Sequence, residues 1–279
     1  MAKIDRLGWA AGISFRAYGV RVGVRVNDKE ALNQVVDHLP PGWEPASSPV
    51  VERLYSFKVG GEHARANLRR FSLLYANDAR VGRSLDLAHM MKLFESDLQL
   101  FVAEAAPRRV FVHAGVVGWR GQAILIPGRS FSGKTSLVVE LVRAGATYYS
   151  DEYAVLDTRG RVHPYPRKLW IREKASLESE RWSAESLGGS CGVKPLPVGL
   201  VIVTKYKAGA RWRPGRVTSG KGALALLDNA VSIQRRPELA FPVLSKVATE
   251  ATILKGVRGE ARYMVDSILK SLDERFGPT

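Results

Sequence analysis

The chain is poor in cysteine: Cys191 is the only one in 279 residues. An internal disulfide is therefore excluded, which fits a reducing compartment. With no paired histidine motif near it, Cys191 does not read as a nucleophile either. Long apolar runs are also missing. No stretch approaches the roughly 20 apolar residues that cross a bilayer, and the opening stretch is interrupted by Lys3, Asp5, Arg6, Arg16 and Arg21. Neither a transmembrane segment nor a secretory signal is expected, and a cytoplasmic location follows as the expectation. Acidic residues are scarce beside basic ones: 27 Asp and Glu against 42 Lys and Arg leave a formal charge of +15. Such an excess suits a polyanionic ligand. The cations are scattered rather than blocked, so the reading adopted is a basic chain that holds an anionic nucleotide, with nucleic acid set aside. Lys205-Tyr206-Lys207 and Arg211-Trp212-Arg213 mix charge with aromatic rings as single-strand binders do. Ala208-Gly209-Ala210 between them reads instead as part of a polar loop.

What the chain does have is an ordinary globular composition, 46% hydrophobic and 25% charged, so a packed core is expected. Val20, Val22, Val24 and Val26 alternate with polar or small residues, which is strand periodicity. Leu32, Val35, Val36 and Leu39 follow helical spacing and are closed by Pro40-Pro41-Gly42. Further strands are expected over 50–59 and 71–76. Leu87, Met90, Met91, Phe94, Leu98, Phe101 and Val102 form the apolar stripe of a long helix ending before Pro107; a stripe of this kind is core. Pro107-Arg108-Arg109 marks a boundary. Residues 1–107 are read as a small α/β domain for an acceptor or partner, and residues 108–279 as a nucleotide-binding and catalytic domain. In the second part, strands are expected over 110–117, 123–126, 146–149, 154–156 and 199–204. A helix is expected over 135–144 with Gly145 as its stop, another capped by Ser219, and a last one carrying Ala261, Met264, Val265, Ile268, Leu269 and Leu272 on one face.

Gly128-Arg129-Ser130-Phe131-Ser132-Gly133-Lys134-Thr135 satisfies the pattern G-x-x-x-x-G-K-[ST]. Successive backbone N–H groups must face one concavity around a β-phosphate, and glycine permits both the backbone angles and the close approach. A helix opening at Lys134, Thr135 and Ser136 would add its positive dipole end. Lys134 is placed to reach β and γ oxygens, and the Thr135 hydroxyl to bind Mg²⁺. The context agrees: apolar Ala123–Ile126 leads in and a helical run, 136–143, leads out. A nucleoside triphosphate is the ligand this motif implies.

Soon after the loop's helix, Tyr148-Tyr149-Ser150-Asp151-Glu152 ends an apolar strand in two carboxylates. Adjacent strand residues point to opposite faces, so the pair shares one site only if the strand ends or bulges there. The run Val112-His113-Ala114-Gly115-Val116, the loop, and the stretch from Ala144 to Val155 together resemble the HPr kinase/phosphorylase C-terminal domain and the related serine kinases. The likeness is specific from His113 to Asp157 and diffuse beyond. It implies a mixed-sheet α/β fold, a P-loop core of the HPr kinase and phosphoenolpyruvate carboxykinase type, with a small N-terminal α/β domain in front.

The resemblance also implies roles. Asp151 matches the acid that acts on the attacking hydroxyl, Glu152 its neighbour near the metal, and His113 the histidine facing the phosphate site. The metal set is then Thr135, Glu152 and Asp151, the cofactors are ATP and Mg²⁺, and the chain assembles as a homo-oligomer. One departure stands out: the family's E-x-R-G-L-G signature is absent, and Pro164–Arg172 occupies its place. Its absence counts against a phosphorylase half-reaction and against HPr as substrate, and leaves the reverse activity an open question. Arg167, Lys168 and Arg172 in that stretch, and more distantly Lys205, could offset charge on a transferred phosphoryl group. The expected activity is an ATP- and Mg²⁺-dependent kinase acting on a serine-like hydroxyl of an unidentified protein, peptide or small molecule. The alternative is a nucleotide-dependent switch that docks a partner and transfers little.

Overall fold

A computed structural model describes residues 3–60, 71–129, 132–172 and 179–276. The chain divides into two units, Met1–Pro107 and Arg108–Thr279. Each contains a mixed sheet, and six α-helices are distributed between them among the described residues.

In the first unit the elements are β1 (Ala11–Ala17), β2 (Val20–Val26), α1 (Lys29–Val36), β3 (Glu44–Pro45), β4 (Arg53–Lys58), β5 (Ser72–Ala76), β6 (Ala79–Ser84) and α2 (Leu87–Ala105). The sheet runs β3-β1-β2-β4-β5-β6, antiparallel except where β2 and β4 lie parallel. The alternating valines of β2 are all buried, as their period requires. At roughly 1.5–3 kcal/mol for each buried aliphatic side chain, this strand helps anchor the unit. The stripe on α2 is buried from Met90 to Val102, with Leu87 only partly covered, and the Phe94 ring meets Tyr55 edge-on at 5.2 Å. Asp86 starts α2 by accepting a hydrogen bond from the His89 amide.

The second unit contains β7 (Val110–Trp119), β8 (Gln122–Pro127), α3 (Lys134–Arg143), β9 (Thr147–Ser150), β10 (Tyr153–Leu156), β11 (Arg161–His163), β12 (Leu169–Arg172), β13 (Ser179–Trp182), β14 (Leu196–Tyr206), β15 (Gly215–Arg216), α4 (Ser219–Leu227), α5 (Pro237–Glu250), β16 (Thr252–Arg258) and α6 (Val265–Phe276). Its centre is three parallel strands, β8-β14-β16, with β7 antiparallel beside β8. Helices cover both faces. Leu137, Val138 and Leu141 of α3 and Ile268 and Leu272 of α6 share one core with Ile124, Ile126 and Ile202. Leu226 of α4 and Leu244 and Val247 of α5 share the other with Leu125, Val201 and Ile253. The runs on β8 and β14 are apolar throughout because both of their faces are covered.

Two local expectations need correction. β7 continues through Trp119, so the turn into β8 is only Arg120-Gly121, both with positive φ. The cap of α4 is Thr218, whose side chain accepts from the Lys221 amide, not Ser219. Sequence reading placed no elements over α5 and β16.

Candidate active site at the N-terminus of α3

β8, β14 and β16 run in one direction, so their carboxyl ends meet at one edge, where ligands of open α/β sheets bind. β8 leaves that edge at Pro127 and the chain turns into α3. The Gly128 amide donates to the His113 carbonyl (3.1 Å), holding the start of the turn against β7. Gly115 on β7 lets α3 approach closely, because a Cβ there would stand 2.6 Å from Val138 Cγ2. Gly133 precedes the helix in the left-handed region (φ 82°), a conformation that favours glycine. Among the described residues no side chain caps α3, and a helix start with free amides suits an anion.

The side chains around this helix end converge. Lys134 Nζ donates to the Arg129 carbonyl at 2.9 Å. Thr135 Oγ1 donates to Asp151 Oδ2 at 3.3 Å. The Tyr148 hydroxyl lies 3.1 Å from Asp151 Oδ1 and 2.9 Å from the Arg167 carbonyl, so its one proton serves one acceptor at a time. His113 Nδ1 is 3.6 Å from Glu152 Oε1, and its ring lies against Tyr153 with centroids 4.8 Å apart.

A bend brings the two carboxylates to the same side. β9 and β10 both pair antiparallel with β7, Ser150 opposite Val116 and Tyr153 opposite His113. Between them the strand breaks: Ser150 Oγ accepts from the amides of both Glu152 (3.1 Å) and Tyr153 (3.0 Å). That turn removes the strict alternation which would have sent Asp151 and Glu152 to opposite faces.

The electrostatics follow from this crowding. Burial lowers the Lys134 pKa, while Glu152 and Asp151 pull it back up. Burial raises the Asp151 pKa, and the Tyr148 and Thr135 hydroxyls with the Arg167 charge oppose that rise. Burial and the Lys134 charge together lower the His113 pKa. The imidazole is therefore neutral near pH 7, and its 3.6 Å approach to Glu152 is neither an ion pair nor a hydrogen bond of normal length.

The structure thus brings together Gly128, Ser132, Gly133, Lys134, Thr135, His113, Asp151, Glu152 and Arg167. Arg129 contributes its carbonyl and leaves its side chain exposed. Ser136, Lys168 and Lys205 are exposed, with no hydrogen bond or ion pair to the cluster among the described residues. Ser130, Phe131 and the Arg172 side chain lie outside what is described. Sequence reading missed Arg258, at the end of β16. It is only 3% exposed, and its Nη2 donates to the carbonyls of Gly133 (2.8 Å) and Ser132 (3.4 Å). No motif marks it; an arginine closing a strand was its only signal.

Oxygen donors suited to a hard cation are present in Thr135, Asp151 and Glu152. Among the described residues no group of three or more His, Cys, Asp and Glu side chains could hold a metal. That set fits Mg²⁺, which is held by one or two carboxylates together with ligand phosphates and water, and does not fit a structural zinc. No helix among the described residues is long and apolar enough to cross a membrane.

No protein-family model matches the chain, and no curated protein matches it. Among solved structures it is similar to one described as the Hpr(Ser) kinase/phosphatase from Coxiella burnetii, with 12% sequence identity and a TM-score of 0.38, over 60% of this chain and 99% of that one. At that distance the chemistry has to be read from the site's own residues.

Proposed function

We propose that residues 108–279 form a nucleotide-binding catalytic domain that transfers the γ-phosphoryl group of ATP to a serine-like hydroxyl, with residues 1–107 serving the acceptor or a partner. The observation that carries this reading is the meeting of Lys134, Thr135, Asp151 and Glu152 at the N-terminus of α3. ATP supplies the transferable group, and Mg²⁺ offsets the charge on its oxygens. The α3 amides and Lys134 would hold the polyphosphate, and the Thr135 hydroxyl with Asp151 and Glu152 would hold the cation. Asp151 takes the proton of the acceptor hydroxyl as that oxygen bonds to the γ-phosphorus and the bond to the bridging oxygen breaks, leaving ADP. Arg167, close enough to influence the Asp151 charge, offsets negative charge on the transferred group.

Incubation with γ-labelled ATP, Mg²⁺ and a panel of hydroxyl-bearing peptides and small molecules tests the reading, alongside direct measurement of nucleotide affinity. The expected result is magnesium-dependent binding and acceptor-dependent label transfer. Slow hydrolysis indifferent to every hydroxyl compound would favour the switch instead. Absence of magnesium-dependent affinity for any nucleotide would end both readings.

A further inference from the structure

We infer that Arg258 is a positioning residue for Ser132 and Gly133 at the start of α3: its guanidinium holds their carbonyls so that the Gly133 and Lys134 amides face the polyphosphate. The inference rests on the nucleotide reading above and adds to it a residue from a distant strand.

The argument begins with peptide geometry. In a trans peptide the carbonyl and the following N–H point in opposite directions, and no peptide in the described chain is cis. Arg258 Nη2 binds the Gly133 carbonyl at 2.8 Å and reaches the Ser132 carbonyl at 3.4 Å. The N–H groups of Lys134 and Gly133 are thereby turned away from the guanidinium. The Gly133 carbonyl also accepts from Leu137, the first bond of α3, so the Lys134 amide leaves the helix at its N-terminal end. Gly133 has a second reason to be glycine: a Cβ there would collide with Arg258 Nη2.

The placement is costly unless it does something. A cation removed from water is strongly disfavoured without a partner. Arg258 is 3% exposed and, among the described residues, no carboxylate forms an ion pair with it. Its Nη1 binds the Gly259 carbonyl (3.0 Å), its Nε has no hydrogen-bond partner among the described residues, and the group lies 5.4 Å from the Tyr206 ring centroid. Burial lowers its pKa, opposed by Glu260 and Tyr206. Packing alone would be served by an apolar side chain. A guanidinium adds two things: donors that fix the loop carbonyls, and positive potential directly behind amides that must face a polyanion.

The test uses the full chain with ¹⁵N-labelled backbone, and Arg258→Gln and Arg258→Lys variants. Addition of Mg-ATP to the wild type should shift the Gly133 and Lys134 amide protons downfield. Both variants should bind Mg-ATP more weakly, by about tenfold for Gln and less for Lys, as expected when a charge-assisted hydrogen bond is lost. Their Gly133 and Lys134 shifts on adding ligand should shrink while amides of β10 and α5 keep their positions. A role confined to stability would lower the melting temperature and leave those ligand-induced shifts at full size. Wild-type affinity with full-size shifts in either variant overturns the inference and leaves the nucleotide reading intact. A wild type that binds no nucleotide removes the reading itself.

Discussion

Asp151 and Asp157 flank the two ends of β10, and the fold treats them in opposite ways. Asp157 is also buried, which alone would raise its pKa. It accepts from the amides of Arg159 (2.9 Å) and Arg161 (3.0 Å), from Arg161 Nε (3.1 Å) and from His163 Nε2 (3.1 Å), and these bonds bring it down to about 2. Asp151 has two hydroxyls, Tyr148 and Thr135, and burial wins there: its pKa is raised. The difference lies in the donors. Backbone amides and a guanidinium saturate a carboxylate permanently, whereas a hydroxyl at 3.3 Å gives up little when a cation or a substrate proton takes its place. A carboxylate with few fixed donors stays available to a cation or a proton, whereas a saturated one closes a turn.

The largest break in this comparison comes from Asp151→Asn. Loss of the proposed base should cut label transfer by about 10²–10⁴-fold. The melting temperature should hold or rise slightly, since a disfavoured buried charge is gone. Full transfer activity in that variant would remove Asp151 from the mechanism.

Asp157→Asn should do the reverse: leave nucleotide affinity unchanged and cost stability. The folded carboxyl titrates at about 2 against an ordinary 3.8. Its contribution is therefore complete above about pH 4 and disappears as pH falls toward 2. The shift corresponds to about 1–2 kcal/mol at pH 7 once solvent screening of the half-exposed Arg161 is allowed for. Urea denaturation at pH 7 and at pH 2 measures it. The gap between wild type and variant should close at the lower pH, and an equal gap at both would assign the effect to uncharged hydrogen bonds.

Much of this site was legible in the sequence because its signals are local. The run from Gly128 to Thr135, the apolar strand before it and the helix after it are contiguous, and the apolar run and the motif together located β8 and α3. The carboxylate pair was visible too, but its convergence was not, since it depends on Ser150 Oγ capturing two amides and breaking the strand. Arg258 was hidden for a different reason. Thr252–Arg258 reads Thr-Ile-Leu-Lys-Gly-Val-Arg, in which Lys255 and Gly256 interrupt the apolar run, and α5 before it carries Pro242 inside the helix. Only parallel pairing with β14 places the end of β16 beside a loop more than a hundred residues earlier. Long-range pairing of this kind leaves no periodic trace.

The smallest effect probes the hydroxyl that tempers Asp151. Tyr148 is buried, and its contact with Asp151 favours the ionised carboxylate. Tyr148→Phe removes that donor, so the Asp151 pKa should rise further. A base works only when deprotonated, so the acidic limb of the kcat/KM profile should move to higher pH. The displacement should be small, because the single hydroxyl proton is shared with the Arg167 carbonyl in the native chain. Activity well above the limb should be nearly unchanged. An unmoved limb would mean that the titrating group is not Asp151, and the contrast between the two ends of β10 would then concern stability alone. A limb displaced to lower pH would mean that Tyr148 holds the protonated form, with the Asp151 carboxyl donating to the phenol oxygen and the phenol proton turned to Arg167.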